Sequence, residues 1–248
     1  MIPKIIHYCW LSGDPIPSSM QQYMHTWKEK LIGYEFVLWD KSRFDIHSVK
    51  WVEQAYEERK YAFAADYIRL YALYTMGGIY MDMDVEVVKS FDGLLNYPYL
   101  LGTETTTGIE GGIIGAEKGS PVIKQCLDFY DGRCFRNDDG TINIAGLPKV
   151  MYKQITQKCE IEITNKPNFT SEKIQVFPFD FFTAKSADTG KVKKTRNTYT
   201  VHHFAGSWLH PTFSQRIKRR IKVLSVKLFG ESIVREISDL VNHRKRES

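Results

Sequence analysis

The chain has few cysteines and no two of them at CxxC spacing. Cys9, Cys126, Cys134 and Cys159 are scattered over 248 residues, a pattern that fits reduced thiols and argues against a zinc knuckle or a disulfide framework. No apolar run reaches the roughly 20 residues that a membrane-spanning helix needs. The start, MIPKIIHYCW, lacks the charged-then-apolar layout of a signal peptide and reads as a strand, so a cytoplasmic protein is expected. Internal repeats, low-complexity tracts and linker-like stretches are missing up to about residue 213, which leaves a single domain over that span. Strong charge is missing too, until the end. Residues 214–248 hold ten Lys/Arg against four acids, and the overall net charge is only +5. A nearly neutral body with a basic tail is not the profile of a nucleic-acid binder; it points to an acidic surface met by one end of the molecule.

What is present is a well-stocked core. Hydrophobic residues make up 43% of the chain, and 14 Tyr and 14 Phe favour an ordered α/β domain. KIIHYCW (4–10) reads as a strand, MQQYMHTWKEKL (20–31) as a helix and YEFVLWD (34–40) as a second strand. This is the opening of a nucleotide-binding fold. One or two helices are expected over 49–76, stopped by Gly77-Gly78, followed by a strand over 79–88. A strand pair is expected at 99–104 and 111–117, and helices at 120–133 and 147–158. IQVFPFDFF (174–182) and TYTVHHFAGSW (198–208) read as extended.

The strand at 79–88 contains an oddity. IYMDMDVEV places Asp82 and Asp84 one residue apart in an apolar run, although aspartate is a poor strand former and an unpaired buried carboxylate is costly. On a strand the two would project to one side, about 7 Å apart, with Met83 opposite. Both could then serve one hard divalent cation and its phosphate ligands. The plainer alternative is an edge strand whose acids face water. In the preceding helix Asp66 and Arg69 share a face with Ala62. There Asp66 could accept sugar hydroxyls and Arg69 approach phosphate or sugar oxygens, or the two could form an ordinary surface ion pair.

IPKIIHYCW (2–10), FAADYIRLYALYTMGGIYMDMDVEV (63–87) and HHFAGSW (202–208) together make the chain resemble glycosyltransferase family 32, the DXD-containing sugar-transfer family. That family includes bacterial capsule-type transferases, and the chain is more distantly similar to the catalytic domains of glucosylating toxins. The resemblance implies a GT-A fold over residues 1–213, with a Rossmann-like nucleotide-binding, mixed central sheet flanked by helices. It also implies a nucleotide-sugar donor (UDP-sugar favoured), Mn²⁺ or Mg²⁺, and transfer with retention to a glycan or lipid-linked saccharide in surface polysaccharide synthesis. Carried over by position, Trp10 resembles the aromatic that stacks on the nucleobase, and Asp66 and Arg69 the donor-contacting pair. Asp82 resembles the carboxylate touching ribose and metal, and Asp84 the direct metal ligand. His203 resembles a metal-ligating histidine, favoured here over His202, and Ser207 and Trp208 a flap over the diphosphate. Glu104 and Glu110 have no counterpart.

The tail SQRIKRRIKVLSVKLFGESIV spaces Ile217, Ile221, Leu224 and Leu228 helically among basic residues. An amphipathic helix over 214–229 that docks on an anionic membrane surface, from the cytoplasmic side, is expected; packing back on the domain is the alternative. Two other functions compete. DMDVE also resembles the motif of haloacid-dehalogenase phosphatases, with Asp82 as nucleophile. A degenerate, non-catalytic sugar-binding subunit is the other.

Overall fold

A computed structural model describes residues 1–104, 108–169, 173–187 and 189–205; the expected tail helix, and with it Ser207 and Trp208, lie outside the described residues. In chain order the elements are β1 (Ile5–Cys9), α1 (Ser18–Lys30), β2 (Glu35–Trp39), α2 (Lys50–Glu57), α3 (Tyr61–Met76), β3 (Gly78–Met81) and β4 (Val85–Val87). They continue with β5 (Tyr99–Leu100), β6 (Ile113–Ala116), α4 (Pro121–Leu127), α5 (Leu147–Thr156), β7 (Ile161–Ile163), β8 (Ile174–Val176), α6 (Phe179–Phe182) and β9 (Thr200–His202).

The main sheet runs β2-β1-β3-β6-β5. β2, β1 and β3 are parallel, and β6 returns antiparallel beside β3. This is the mixed α/β sheet flanked by helices that was expected. Side chains of β3 alternate between two cores, as a pleated strand requires. Tyr80 joins Trp51, Leu70 and Phe135 under the helices α2–α5, whereas Ile79 and Met81 join Trp27, Phe91 and Phe182 on the other face. Each such fully buried large side chain contributes about 2 kcal/mol through apolar area removed from water.

α3 stops at Gly77-Gly78, both at positive φ (71° and 113°). A Cβ on Gly77 would lie 2.6 Å from the Lys118 amide nitrogen, and one on Gly78 2.7 Å from the Ile5 carbonyl oxygen. Only glycine lets the helix end this close to β1, so the chain can enter the sheet centre at once.

Two expectations are corrected here. The single strand over 79–88 is broken: β3 ends at Met81, Met83 and Asp84 form a turn closed by the Val85 amide donating to the Asp82 carbonyl at 3.1 Å, and β4 leaves to pair with β9 instead. Asp82 and Asp84 therefore do not sit on one face of a strand. The span 174–182 is not extended throughout, because Pro178 precedes the short helix α6.

Candidate active site

The chain leaves β1 and β3 at neighbouring points, since the two strands are parallel and paired (Ile6 with Ile79, His7 with Tyr80). Their carboxyl ends are where open α/β sheets bind ligands. Trp10 follows β1, with its indole N–H donating to the Asp14 carbonyl at 2.6 Å; Asp82 and Asp84 follow β3.

Asp82 is fixed from several directions. Its amide donates to the Gly112 carbonyl at 2.7 Å, and the Tyr80 hydroxyl donates to Oδ1 at 2.9 Å. Arg69 approaches the same carboxylate at 3.4 Å. Yet the Arg69 guanidinium is already engaged by protein: it donates to the Gly111 carbonyl at 2.5 Å, pairs with Asp66 at 3.1 Å and lies 4.5 Å over the Tyr80 ring. Asp66 in turn accepts from the Leu147 amide at 3.2 Å, at the start of α5. Both residues are buried. The surface-pair alternative is thus excluded, and the observed contacts of the pair brace Asp82 and α5. Burial pushes the Asp66 carboxyl up to about 6 against the opposing pull of Arg69.

Asp84 is held from the C-terminal side. The Ala205 amide donates to Oδ2 at 2.6 Å, and His202 Nε2 lies 3.3 Å from Oδ1 and 3.9 Å from an oxygen of Asp82. The expectation for His203 is corrected by this arrangement. Adjacent residues of a strand face opposite ways, and the register that sets His202 opposite Val85 turns His202 into the carboxylates. His203 instead stacks on Tyr23 at 4.2 Å and meets Glu86 at 2.9 Å.

His202 is embedded in more than the aspartates. Glu110, 1% exposed, lies 3.0 Å from its Nδ1 and also accepts from the Gly112 amide at 2.7 Å and the Thr183 hydroxyl at 2.8 Å. Phe204 stacks on the other side of the ring at 4.1 Å. Burial opposes a charge on His202, but the Glu110 and Asp84 carboxylates outweigh it and hold its pKa well above the usual range. Glu110 and Asp84 are correspondingly held below theirs: burial pushes each up, and His202 pulls each down further.

One donor atom each from Asp82, Asp84 and His202 lies within 4.8 Å of the others. Two carboxylate oxygens and one imidazole nitrogen at that spacing could hold a divalent cation. Gly112 makes the approach possible, because a Cβ there would lie 2.6 Å from His202 Cε1 and 3.1 Å from an Asp82 oxygen. The sequence reading gave Glu110 no role and missed Gly112, Thr183 and the bracing by Tyr80. An acid set among glycines in GIEGG was the one available signal.

Residues 17–101 match the family described as glycosyltransferase sugar-binding region containing DXD motif. Inositol phosphoceramide mannosyltransferase 3 of Schizosaccharomyces pombe is 34% identical over 130 residues, 51% of this chain and 36% of that protein. An uncharacterized glycosyltransferase of Acanthamoeba polyphaga mimivirus is 28% identical over 177 residues, 66% of this chain and 69% of that one. The solved PaToxG glycosyltransferase superposes with a TM-score of 0.48 at 23% identity, over 63% of this chain and 68% of that chain. This chain spans about a third of the fungal protein's length. Residues 17–101, with two aspartates at the carboxyl end of β3, are thus similar to the DXD-containing sugar-binding region of glycosyltransferases.

Proposed function

We propose that the chain transfers a hexose from a nucleotide-sugar, with a divalent cation held by Asp82, Asp84 and His202, to a hydroxyl of a lipid-borne or glycan acceptor. The observation that carries this is the convergence of those three donors at the carboxyl ends of β1 and β3. When bound, the cation acts as a Lewis acid on the leaving diphosphate. The chain's own residues do the rest. Trp10, on the loop after β1, offers a face on which a nucleobase can stack, as the family resemblance suggests. Tyr80 and Arg69 hold Asp82 against rotation, leaving its carboxylate 30% exposed toward solvent. Asp66 and Arg69 shape the floor beneath the sugar, and any direct contact they make with the donor comes from the atoms not already committed to α5 and Gly111. Asp84, more deeply set at 10% exposure, presents one oxygen beside His202.

For the acceptor, the names of the fungal relatives favour a lipid bearing an inositol phosphate over a capsular glycan. The basic segment 214–248 supports the same direction, since ten Lys/Arg there complement an anionic lipid surface. Among the described residues no helix is long and apolar enough to cross a membrane. Retention is the stereochemical reading kept from the family resemblance, and same-face attack is preferred to a covalent intermediate because the sequence offers no carboxylate that can be placed on the correct face. A match to a glycosyltransferase region leaves the phosphatase reading without support.

The test is nucleoside-diphosphate release from a panel of UDP- and GDP-sugars with Mn²⁺, with and without a phosphoinositol-headed lipid. Release from one donor, abolished by chelator and accelerated by the lipid, is expected. Flat traces for every donor, together with no donor-induced thermal stabilisation, would overturn the reading.

A further inference from the structure

We propose that Glu110 is a positioning residue for the metal site: it accepts a hydrogen bond from His202 Nδ1–H and so turns Nε2 toward the cation that Asp82 and Asp84 would share, which takes the place of the Nε2 proton. This rests on the metal-dependent reading above. A carboxylate accepts from a ring N–H, so the 3.0 Å contact with Glu110 keeps a proton on Nδ1. Nε2 is then the atom left facing Asp84 at 3.3 Å and Asp82 at 3.9 Å. A carboxylate behind a ligating imidazole sets its tautomer and ring plane and raises its basicity.

Glu110 is built to do this with little freedom. Its amide donates to the Gly102 carbonyl at 2.7 Å. Its two oxygens are shared among the Gly112 amide, the Thr183 hydroxyl and His202. Thr183 also closes the loop, because the His202 amide donates to its carbonyl at 3.0 Å. The ring therefore cannot turn without breaking either that network or its stacking on Phe204.

Glu110→Gln keeps the size and leaves an oxygen for Gly112 and an amide for Thr183, but removes the charge behind Nδ1. Mn²⁺ affinity, read by electron paramagnetic resonance titration, should fall by roughly 10- to 100-fold. Thr183→Val keeps the charge behind Nδ1 and removes one of the bonds that hold the carboxylate, so it should cost less Mn²⁺ affinity than Glu110→Gln. A variant-free measurement stands beside these: in ¹⁵N-histidine protein loaded with diamagnetic Cd²⁺, long-range ¹H–¹⁵N spectra should show His202 protonated at Nδ1 and metal-bound at Nε2. Equal Mn²⁺ affinity in Glu110→Gln and wild type, equal losses in both variants, or metal on Nδ1 would overturn the inference. A wild-type protein that binds no Mn²⁺ would instead overturn the function proposed for the site.

Discussion

Asp84 commits one oxygen to the Ala205 amide and sets the other beside His202, while Asp82 is steadied by Tyr80 and Arg69 and keeps an open side. Two aspartates one residue apart thus have unlike surroundings. The pair was legible in the sequence because buried carboxylates demand compensation. Their partner was not, since alternation says only that one of His202 and His203 faces the site, and the choice depends on the register of β9 against β4. Glu110 was illegible for a similar reason: its partners Thr183 and His202 lie 73 and 92 residues away. Asp66 yields a prediction at this scale. Its folded pKa of about 6 stands above the ordinary carboxyl value of 3.8. The stability it contributes is therefore full below about pH 4 and is lost as pH rises through about 6, amounting to about 3 kcal/mol. Asp66→Asn should remove that loss, so its stability relative to wild type should climb by up to that amount between pH 4 and 7 in denaturant titrations. Parallel pH curves for the two proteins would contradict the assignment of burial as the dominant influence on Asp66.

Among the elements, the turn between β3 and β4 matters most. β3 lies in the main sheet and β4 in a separate pair with β9, so the two aspartates mark the point where the chain changes sheets. A strand pattern over 79–88 could not reveal that change, because β4 carries the same alternation of buried residues as a continuing strand would. α1, by contrast, was evident from its pattern, and its task shows only in three dimensions. The Trp27 indole donates to the Val85 carbonyl at 2.7 Å, and the Thr26 hydroxyl accepts from the Val87 amide at 2.9 Å. α1 is thereby locked onto the strand that leaves the turn carrying Asp82 and Asp84. Trp27→Phe leaves a buried acceptor without this donor and a small void, costing about 2 kcal/mol, which corresponds to a Tm lower by about 5 °C. A Tm within about 1 °C of wild type would show that α1 does not brace β4.

Over the whole molecule, the site draws on two halves of the chain. The region that matches the family, residues 17–101, contains Asp66, Arg69, Asp82 and Asp84. Trp10 precedes it, and Glu110, Gly112, Thr183 and His202 follow it. The nucleotide-side order of β1, α1 and β2 was legible because short-range periodicity encodes it. The later part was less so, because β7, β8, α6 and β9 are each only three or four residues long, and long-range pairing rather than local pattern places them. A site that closes only when β9 docks on β4 also couples metal binding to the fold of the C-terminal half. The most direct test of that account is anomalous diffraction from crystals grown with Mn²⁺. The account predicts a single peak between Asp82, Asp84 and His202, absent in Asp84→Asn; a peak beside His203 and Glu86, or none at the carboxyl end of β3, would contradict it.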